Sequence, residues 1–295
     1  LGIDSRRPAK EYTMDATAQD TLPADLKPFV CDSCDAWNAA RPPFKLFGGS
    51  HYIGPEGLSV VAIDTGAGVI LIDGGLPQSV HGIIAGLKSI GRDVRDVKYI
   101  AVSHPHYDHA GGVAALSRLS GATVLSTDAS ADALRKGDVP DDDPQAGYGD
   151  FMKFPPVAKV RAMADGEPIT LGDTTLTAHA TPGHTPGGAS WSWRDCEGKH
   201  CIDLVFADSL NPVSHDDFHF GDNPERVATF RSSIAKVRAL SCDLLVSAHP
   251  SQSQLFERQA KHGLTDANAC TTYADEATVR LDQRLATERA TVPVD

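Results

Sequence analysis

The chain has 295 residues, of which 41% are hydrophobic and 22% charged, a balance that supports a packed core and excludes disorder as the main state. Its formal net charge of −12 opposes a nucleic-acid backbone as ligand. Its longest apolar runs, such as Val69–Ile72, are too short to cross a bilayer.

Residues 1–13 carry Arg6, Arg7 and Lys10 with no apolar stretch behind them, so they do not read as a signal peptide. The chain starts on Leu1 and its first methionine is Met14. Residues 1–20 are therefore expected to be a tag remnant or disordered arm, and 21–295 a single domain. From Phe44 onward, strand and helix patterns alternate. Residues 58–63 and 69–73 are strand-like runs joined through Thr65-Gly66-Ala67-Gly68, which predicts a hairpin. Val80, Ile83, Ile84, Leu87 and Ile90 recur at helical spacing. A short strand over 99–103, a helix over 113–119 and a strand over 123–126 follow. The segment 138–148, rich in Pro, Gly and Asp, reads as a surface loop. Strand patterns return at 174–179, 189–193 and 202–206. Asn223-Pro224 reads as an N-cap and first-turn pair, opening a helix with Val227, Phe230, Ile234 and Val237 on its apolar stripe. A strand at 244–247 and a helix over about 273–285 complete the chain. Three strands, a helix, a strand and a helix thus occur twice, which predicts an α/β domain of two similar halves, sheet packed on sheet with helices outside. Gly66-x-Gly68 precedes its strand instead of following it, so it is not a dinucleotide loop.

Six cysteines admit 15 pairings. Cys196 and Cys201 flank a four-residue turn and could staple a hairpin. Cys242 stands just before the 244–247 strand and Cys270 just before the last helix. A bridge between them would contribute about 3–4 kcal/mol in the chain-entropy model. Cys31 and Cys34 form a lone CxxC with no second pair to complete a zinc ribbon, and a structural disulfide is the reading adopted. Such use of cysteine favours an oxidising compartment such as a periplasm.

One segment dominates the chemistry. Ser103-His104-Pro105-His106-Tyr107-Asp108-His109 sets four metal-ligating side chains within six residues, between a strand and a helix. In an extended segment His104 and His106 point to the same side, and the turn that follows can bring Asp108 and His109 to a neighbouring point. Imidazole and carboxylate suit zinc, whereas a purely structural cluster of this kind would carry a severe desolvation cost. His184, in Thr181-Pro182-Gly183-His184, and His249, in Ser247-Ala248-His249, also follow strands and join the candidate ligands. His51, His81, His179, His200, His215, His219 and His262 default to surface or structural roles, with His215 and His219 the two that could reach the cleft.

The HxHxDH segment, the later Gly-His and the still later histidine resemble the metallo-β-lactamase superfamily, over about residues 37–295. The resemblance implies an αββα sandwich. No cysteine stands where some members place a metal ligand, and that strand end reads Phe206-Ala207-Asp208-Ser209-Leu210. The pattern is similar to the third subclass of class B β-lactamases, as are Trp37 near the start and the Cys242–Cys270 spacing. By that resemblance the chain binds two Zn2+. One is held by His104, His106 and His184, the other by Asp108, His109 and His249. A metal-bound hydroxide oriented by Asp108, the catalytic residue, would open the β-lactam amide of penicillins, cephalosporins and carbapenems and confer antibiotic resistance. Asp73, in Leu71-Ile72-Asp73-Gly74-Gly75, would fix a ligand imidazole, the competing reading being a plain turn aspartate. Ser209 and Asn211 would bind the substrate carboxylate, although Asn211 departs from the family's usual hydroxyl. Trp37, Tyr148 and Phe151 would form apolar walls. The implied protein is a periplasmic monomer whose partner is a small molecule, neither nucleic acid nor membrane. The alternative is a thioesterase of the glyoxalase type or a lactonase, in which an aspartate at the place of Asp208 would bridge the metals.

Overall fold

The computed structural model describes residues 22–261 and 263–291; the expected arm over 1–20 and His262 lie outside the described residues. Among the described residues, twelve strands form two sheets. The first runs in chain order through β1 (Phe44–Phe47), β2 (Ser50–Tyr52), β3 (Val61–Asp64), β4 (Val69–Ile72), β5 (Val97–Ala101), β6 (Thr123–Thr127) and β7 (Val160–Met163). The second contains β8 (Pro168–Leu171), β9 (Thr174–Ala180), β10 (Ala189–Glu197), β11 (His200–Ala207) and β12 (Leu244–Ser247), in the order β12-β11-β10-β9-β8. Helices α1 (Val80–Ser89), α2 (Val113–Ser120) and α3 (Asp128–Lys136) cover the first sheet. Helices α4 (Pro224–Ala239) and α6 (Ala269–Thr291) cover the second, and α5 (Leu255–Lys261) closes one edge.

Three apolar layers hold this αββα stack together, because the central strands are apolar on both faces. In β4, Val69 and Leu71 face α1 and α2, while Ile70 and Ile72 face the other sheet. In β11, Leu204 and Phe206 enter the inter-sheet layer and Val205 packs beneath α4 and α6. Strands covered on both faces lose the alternation of a half-exposed sheet, which is why these segments read as unbroken apolar runs. Two buried indoles fasten the sheets across their interface. Trp191 Nε1 donates to the Val102 carbonyl at 3.2 Å, and Trp193 Nε1 donates to Ser50 Oγ at 2.9 Å.

The halves share a unit but not a strand count. In each, an antiparallel hairpin leads through a helix to a strand parallel to the hairpin's second arm: β3-β4-α1-β5 and β10-β11-α4-β12. The carboxyl ends of β4, β5, β11 and β12 therefore gather at one edge of the sandwich. The expected 58–63 strand begins only at Val61. Residues 58–60 leave the first sheet, and Ser59 instead donates from its N to Ala248 O at 2.9 Å and from its Oγ to Ser247 O at 2.7 Å. Asn223 does not cap α4 with its side chain, which donates back to the His219 carbonyl at 2.8 Å. The six cysteines pair as Cys31–Cys34, Cys196–Cys201 and Cys242–Cys270.

Candidate metal centre

Beyond β5 the chain runs extended through His104 to His106 and then turns into a one-turn helix, Tyr107–Ala110. Asp73 follows β4 with φ +62°, a conformation that costs a non-glycine residue on the order of 1–3 kcal/mol. The structure keeps it because its buried carboxylate serves three donors: Ser103 N at 2.6 Å, Ser103 Oγ at 2.7 Å and His109 Nδ1 at 3.1 Å. Asp73 thus lies behind His109 and fixes the bend that leads into His104.

The other four candidate imidazoles are likewise tethered through a ring nitrogen. His104 Nδ1 meets Asp208 Oδ1 at 2.8 Å, and His106 Nε2 lies 3.2 Å from Asp143 Oδ2. His184 Nδ1 donates to the Asn211 carbonyl at 2.8 Å, and His249 Nδ1 to the Gly57 carbonyl at 3.0 Å. Gly57 has no room for a side chain, since a Cβ there would sit 2.5 Å from Trp37 Cδ1. A carbonyl only accepts, so Nδ1 of His184 and of His249 carries a proton, and Nε2 is the ring atom left to face the site. Outer acceptors of this kind orient metal-ligating histidines and raise their basicity.

The inner atoms converge. Asp108 Oδ2 is 3.2 Å from His109 Nε2 and 3.3 Å from His249 Nε2, and the two nitrogens are 3.3 Å apart. Tetrahedral ligands held about 2.0–2.1 Å from a zinc ion are spaced about 3.3 Å from one another. With both Nδ1 atoms occupied as donors, the deprotonated forms of His109 and His249 would turn two Nε2 lone pairs and the Asp108 oxygen toward a common point, an arrangement suited to a cation. The donor atoms of His104, His106 and His184 all lie within 4.8 Å of one another, as do those of His104, Asp108 and His109, so His104 adjoins both groups.

Electrostatics divides the cluster. Burial works against the Asp108 carboxylate, yet His109 and His249 outweigh it and hold its pKa well below the usual range. Burial likewise works against protonated His109, but Asp108 and Asp73 push its pKa up to about 10. This corner of the site attracts positive charge. Burial, then the neighbouring imidazoles, lowers His184 to about 3 and holds His104 well below its ordinary value. Those two rings are kept neutral, the form that binds metal. Burial raises the Asp208 pKa well above the carboxylate range.

A cavity of about 340 Å3 opens over these groups, lined by His106, Asp108, His184 and His249 together with Trp37, Ser209 and Asn211. Asn211 keeps its buried Oδ1 without a partner among the described residues. Phe151 lines an adjoining cavity of about 390 Å3, shared with Trp37, Tyr107 and Val30. Tyr148 lines neither: its hydroxyl donates to the Ser214 carbonyl at 3.2 Å and its ring packs 4.9 Å from His215. Three positions were not singled out from sequence. Asp143 stands behind His106, Gln145 places its amide nitrogen 3.4 Å from His106 Nδ1, and Gln252 lines the cavity. Nothing in the run of three aspartates at 141–143 distinguishes its buried member from its exposed ones. The 138–148 segment is largely the surface loop expected of it, with Asp143 and Pro144 turned inward and buried.

Residues 53–249 match the family model of the metallo-β-lactamase superfamily. The chain belongs to that superfamily. Solved structural neighbours include subclass B3 metallo-β-lactamases, and the shared architecture identifies this αββα sandwich as the metallo-β-lactamase fold. SMB-1 bound to 2-mercaptoethanesulfonate is 44% identical with a TM-score of 0.81, over 85% of this chain and 99% of that one. A B3 metallo-β-lactamase with an active-site glutamic acid is also 44% identical, TM-score 0.84, over 90% and 98%. BJP-1 of Bradyrhizobium japonicum is 31% identical, TM-score 0.80, over 88% and 100%. Among curated proteins, a hydroxyacylglutathione hydrolase of Anaeromyxobacter dehalogenans is 30% identical over 58% of this chain and 54% of its own length. The N-acyl homoserine lactonase AttM of Agrobacterium fabrum is 35% identical over 38% and 41%. The chain spans about half the length of the curated relatives it matches. Among the described residues, no helix is long and apolar enough to cross a membrane.

Proposed function

We propose that this metallo-β-lactamase-fold protein is a β-lactamase of subclass B3 that binds two zinc ions and hydrolyses the β-lactam amide of penicillins, cephalosporins and carbapenems. The observation that carries the reading is the convergence of Asp108 Oδ2, His109 Nε2 and His249 Nε2 at 3.2–3.3 Å. Beside them lie His104, His106 and His184, each tethered from behind by its other nitrogen. One ion is held by His104, His106 and His184, the other by Asp108, His109 and His249. Zinc, when bound, supplies Lewis acidity and a nucleophilic water at neutral pH.

The rest is done by the chain. Asp108 has a second carboxylate oxygen besides the Oδ2 of the triangle, which would accept a hydrogen bond from the attacking water and aim it. Asp73 holds the proton of His109 on Nδ1, keeping Nε2 for the metal. Ser209 and Asn211 lie on the cavity wall with groups able to donate to the substrate carboxylate, and Trp37 and Phe151 offer apolar surface to its side chains. Asp208 reaches His104 from the outer side at 2.8 Å, which favours the lactamase reading over a thioesterase in which that aspartate bridges the metals. Three disulfides favour a periplasmic location, where such an enzyme would confer antibiotic resistance. The working unit is a monomeric domain over residues 21–295.

Zinc-loaded protein is expected to open the ring of a penicillin and a carbapenem, to stop on chelation and to recover when zinc is returned. A glutathione thioester and an acyl homoserine lactone serve as competing substrates. Turnover of either competitor without any lactam hydrolysis overturns the proposal.

A further inference from the structure

The wall segment carries five carboxylates, at Asp138, Asp141, Asp142, Asp143 and Asp150, and only Asp143 is buried, at 3% exposure. Burying a carboxylate costs several kcal/mol unless it is paired and hydrogen-bonded. Its oxygens lie 3.3 and 3.2 Å from His106 Nε2, and Oδ1 also accepts from Gln145 N at 2.8 Å. The same few residues are fastened to the second half of the molecule. His215 N donates to the Pro144 carbonyl at 2.9 Å, and Arg226 donates to the Asp142 carbonyl at 2.6 Å. Downstream, Phe151 packs edge-on against Phe29 and Tyr107, and Met152 enters the layer beneath α1 and α2. A loop needing only shape could have used an uncharged residue at 143. A carboxylate is needed where the group behind it is to become a strong donor.

We infer that Asp143 is a positioning residue that couples metal occupancy at His106 to the placement of the substrate wall at 145–151. The inference rests on the proposed reading of His106 as a zinc ligand. A cation on Nδ1 withdraws electron density from the ring and makes Nε2–H a stronger donor, so the carboxylate and the segment it belongs to are drawn tighter. By thermodynamic reciprocity, a segment already set in place strengthens the metal site by the same factor. The wall is then complete only when the site is loaded, and substrate recognition and metal binding reinforce each other.

Zinc affinity and stoichiometry, measured by competition with a chromophoric chelator, test this together with amide hydrogen exchange over 138–152 and steady-state kinetics. In the wild-type protein, stripping zinc is expected to speed exchange in this segment. Asp143→Ala is expected to weaken one of the two ions about 10–100-fold and leave the other nearly unchanged. It should also lose the zinc-dependent change in exchange and raise KM for a lactam by more than it lowers kcat. Should Asp143→Ala not fold, Asp143→Asn, which removes the charge and keeps the shape, carries the same expectations. Equal exchange in wild-type protein with and without zinc overturns the coupling, whatever the variants do. Unchanged affinity at both ions in a folded variant overturns it as well. A wild-type protein that binds no zinc would overturn the proposed function itself, which separates the two failures.

Discussion

Asp73 and Asp108 are both buried aspartates near His109, yet they do different work. Asp108 offers an oxygen to the point where His109 and His249 also converge, while Asp73 lies behind His109 and binds its other nitrogen. Asp108→Ala is therefore expected to drop one zinc per chain, seen in metal analysis, and to abolish lactam turnover. A variant that kept two ions and full activity would overturn that assignment. Asp73→Asn retains bulk but weakens the outer acceptor, and should reduce metal affinity or activity about 10–100-fold without removing an ion at saturating zinc. The HxHxDH run was legible because four candidate metal ligands in six residues have no ready structural use. Asp143 and Asp208 were not legible as partners of histidines. An aspartate behind a ligand reveals itself only when folding brings together positions 37 apart, as for His106 and Asp143, or 104 apart, as for His104 and Asp208.

Among the elements, α6 has a role beyond covering the second sheet. Its fully buried Tyr273 donates its hydroxyl to the Asp208 carbonyl at 2.7 Å and accepts from Leu210 N at 3.2 Å. The segment so pinned carries Asp208 behind His104 and the Asn211 carbonyl behind His184. Tyr273→Phe should cost about 1–3 kcal/mol, the penalty of leaving buried polar groups unpaired, and should weaken zinc at the His104 side of the site more than at His249. Thermal melts and zinc titration read the two effects. The Cys242–Cys270 bridge fastens the start of this helix, and its removal should lower stability by about 3–4 kcal/mol. The central strands and the stripes of α1 and α4 were readable from periodicity. Helix α3 was not, since its buried face is mostly small residues, Ser130, Ala131 and Ala133, with Leu134 alone as a large apolar group. The edge strands β7 and β8 each bury one residue fully, Met163 and Ile169, too little for an alternating pattern to stand out.

For the whole molecule, acid should act through the imidazoles. In protein stripped of metal, His184 has a folded pKa near 3, below its unfolded value of about 6.5. The unfolded chain then binds more protons between those values, so stability falls as pH drops from about 6.5 toward 3. His109, raised to about 10, contributes in the opposite sense: its stabilisation is complete below about pH 6.5 and is lost as pH climbs toward 10. Denaturant melts across this range should show a maximum between the two flanks. Zinc, which requires deprotonated ligands, should raise the melting temperature at neutral pH. At free zinc about 1,000 times its dissociation constant, the gain is about 4 kcal/mol.

The chain passes from one sheet to the other once, between Met163 and Pro168. Four of the six proposed ligands lie before that crossing and two after it. A polypeptide severed at 164–167 would thus yield two pieces, each owning one sheet and an incomplete set of donors. Their reunion would be governed by the apolar seam between the sheets and by the ion they must share. The fold is in this sense a natural candidate for a split reporter, silent as separate fragments and switched on by zinc.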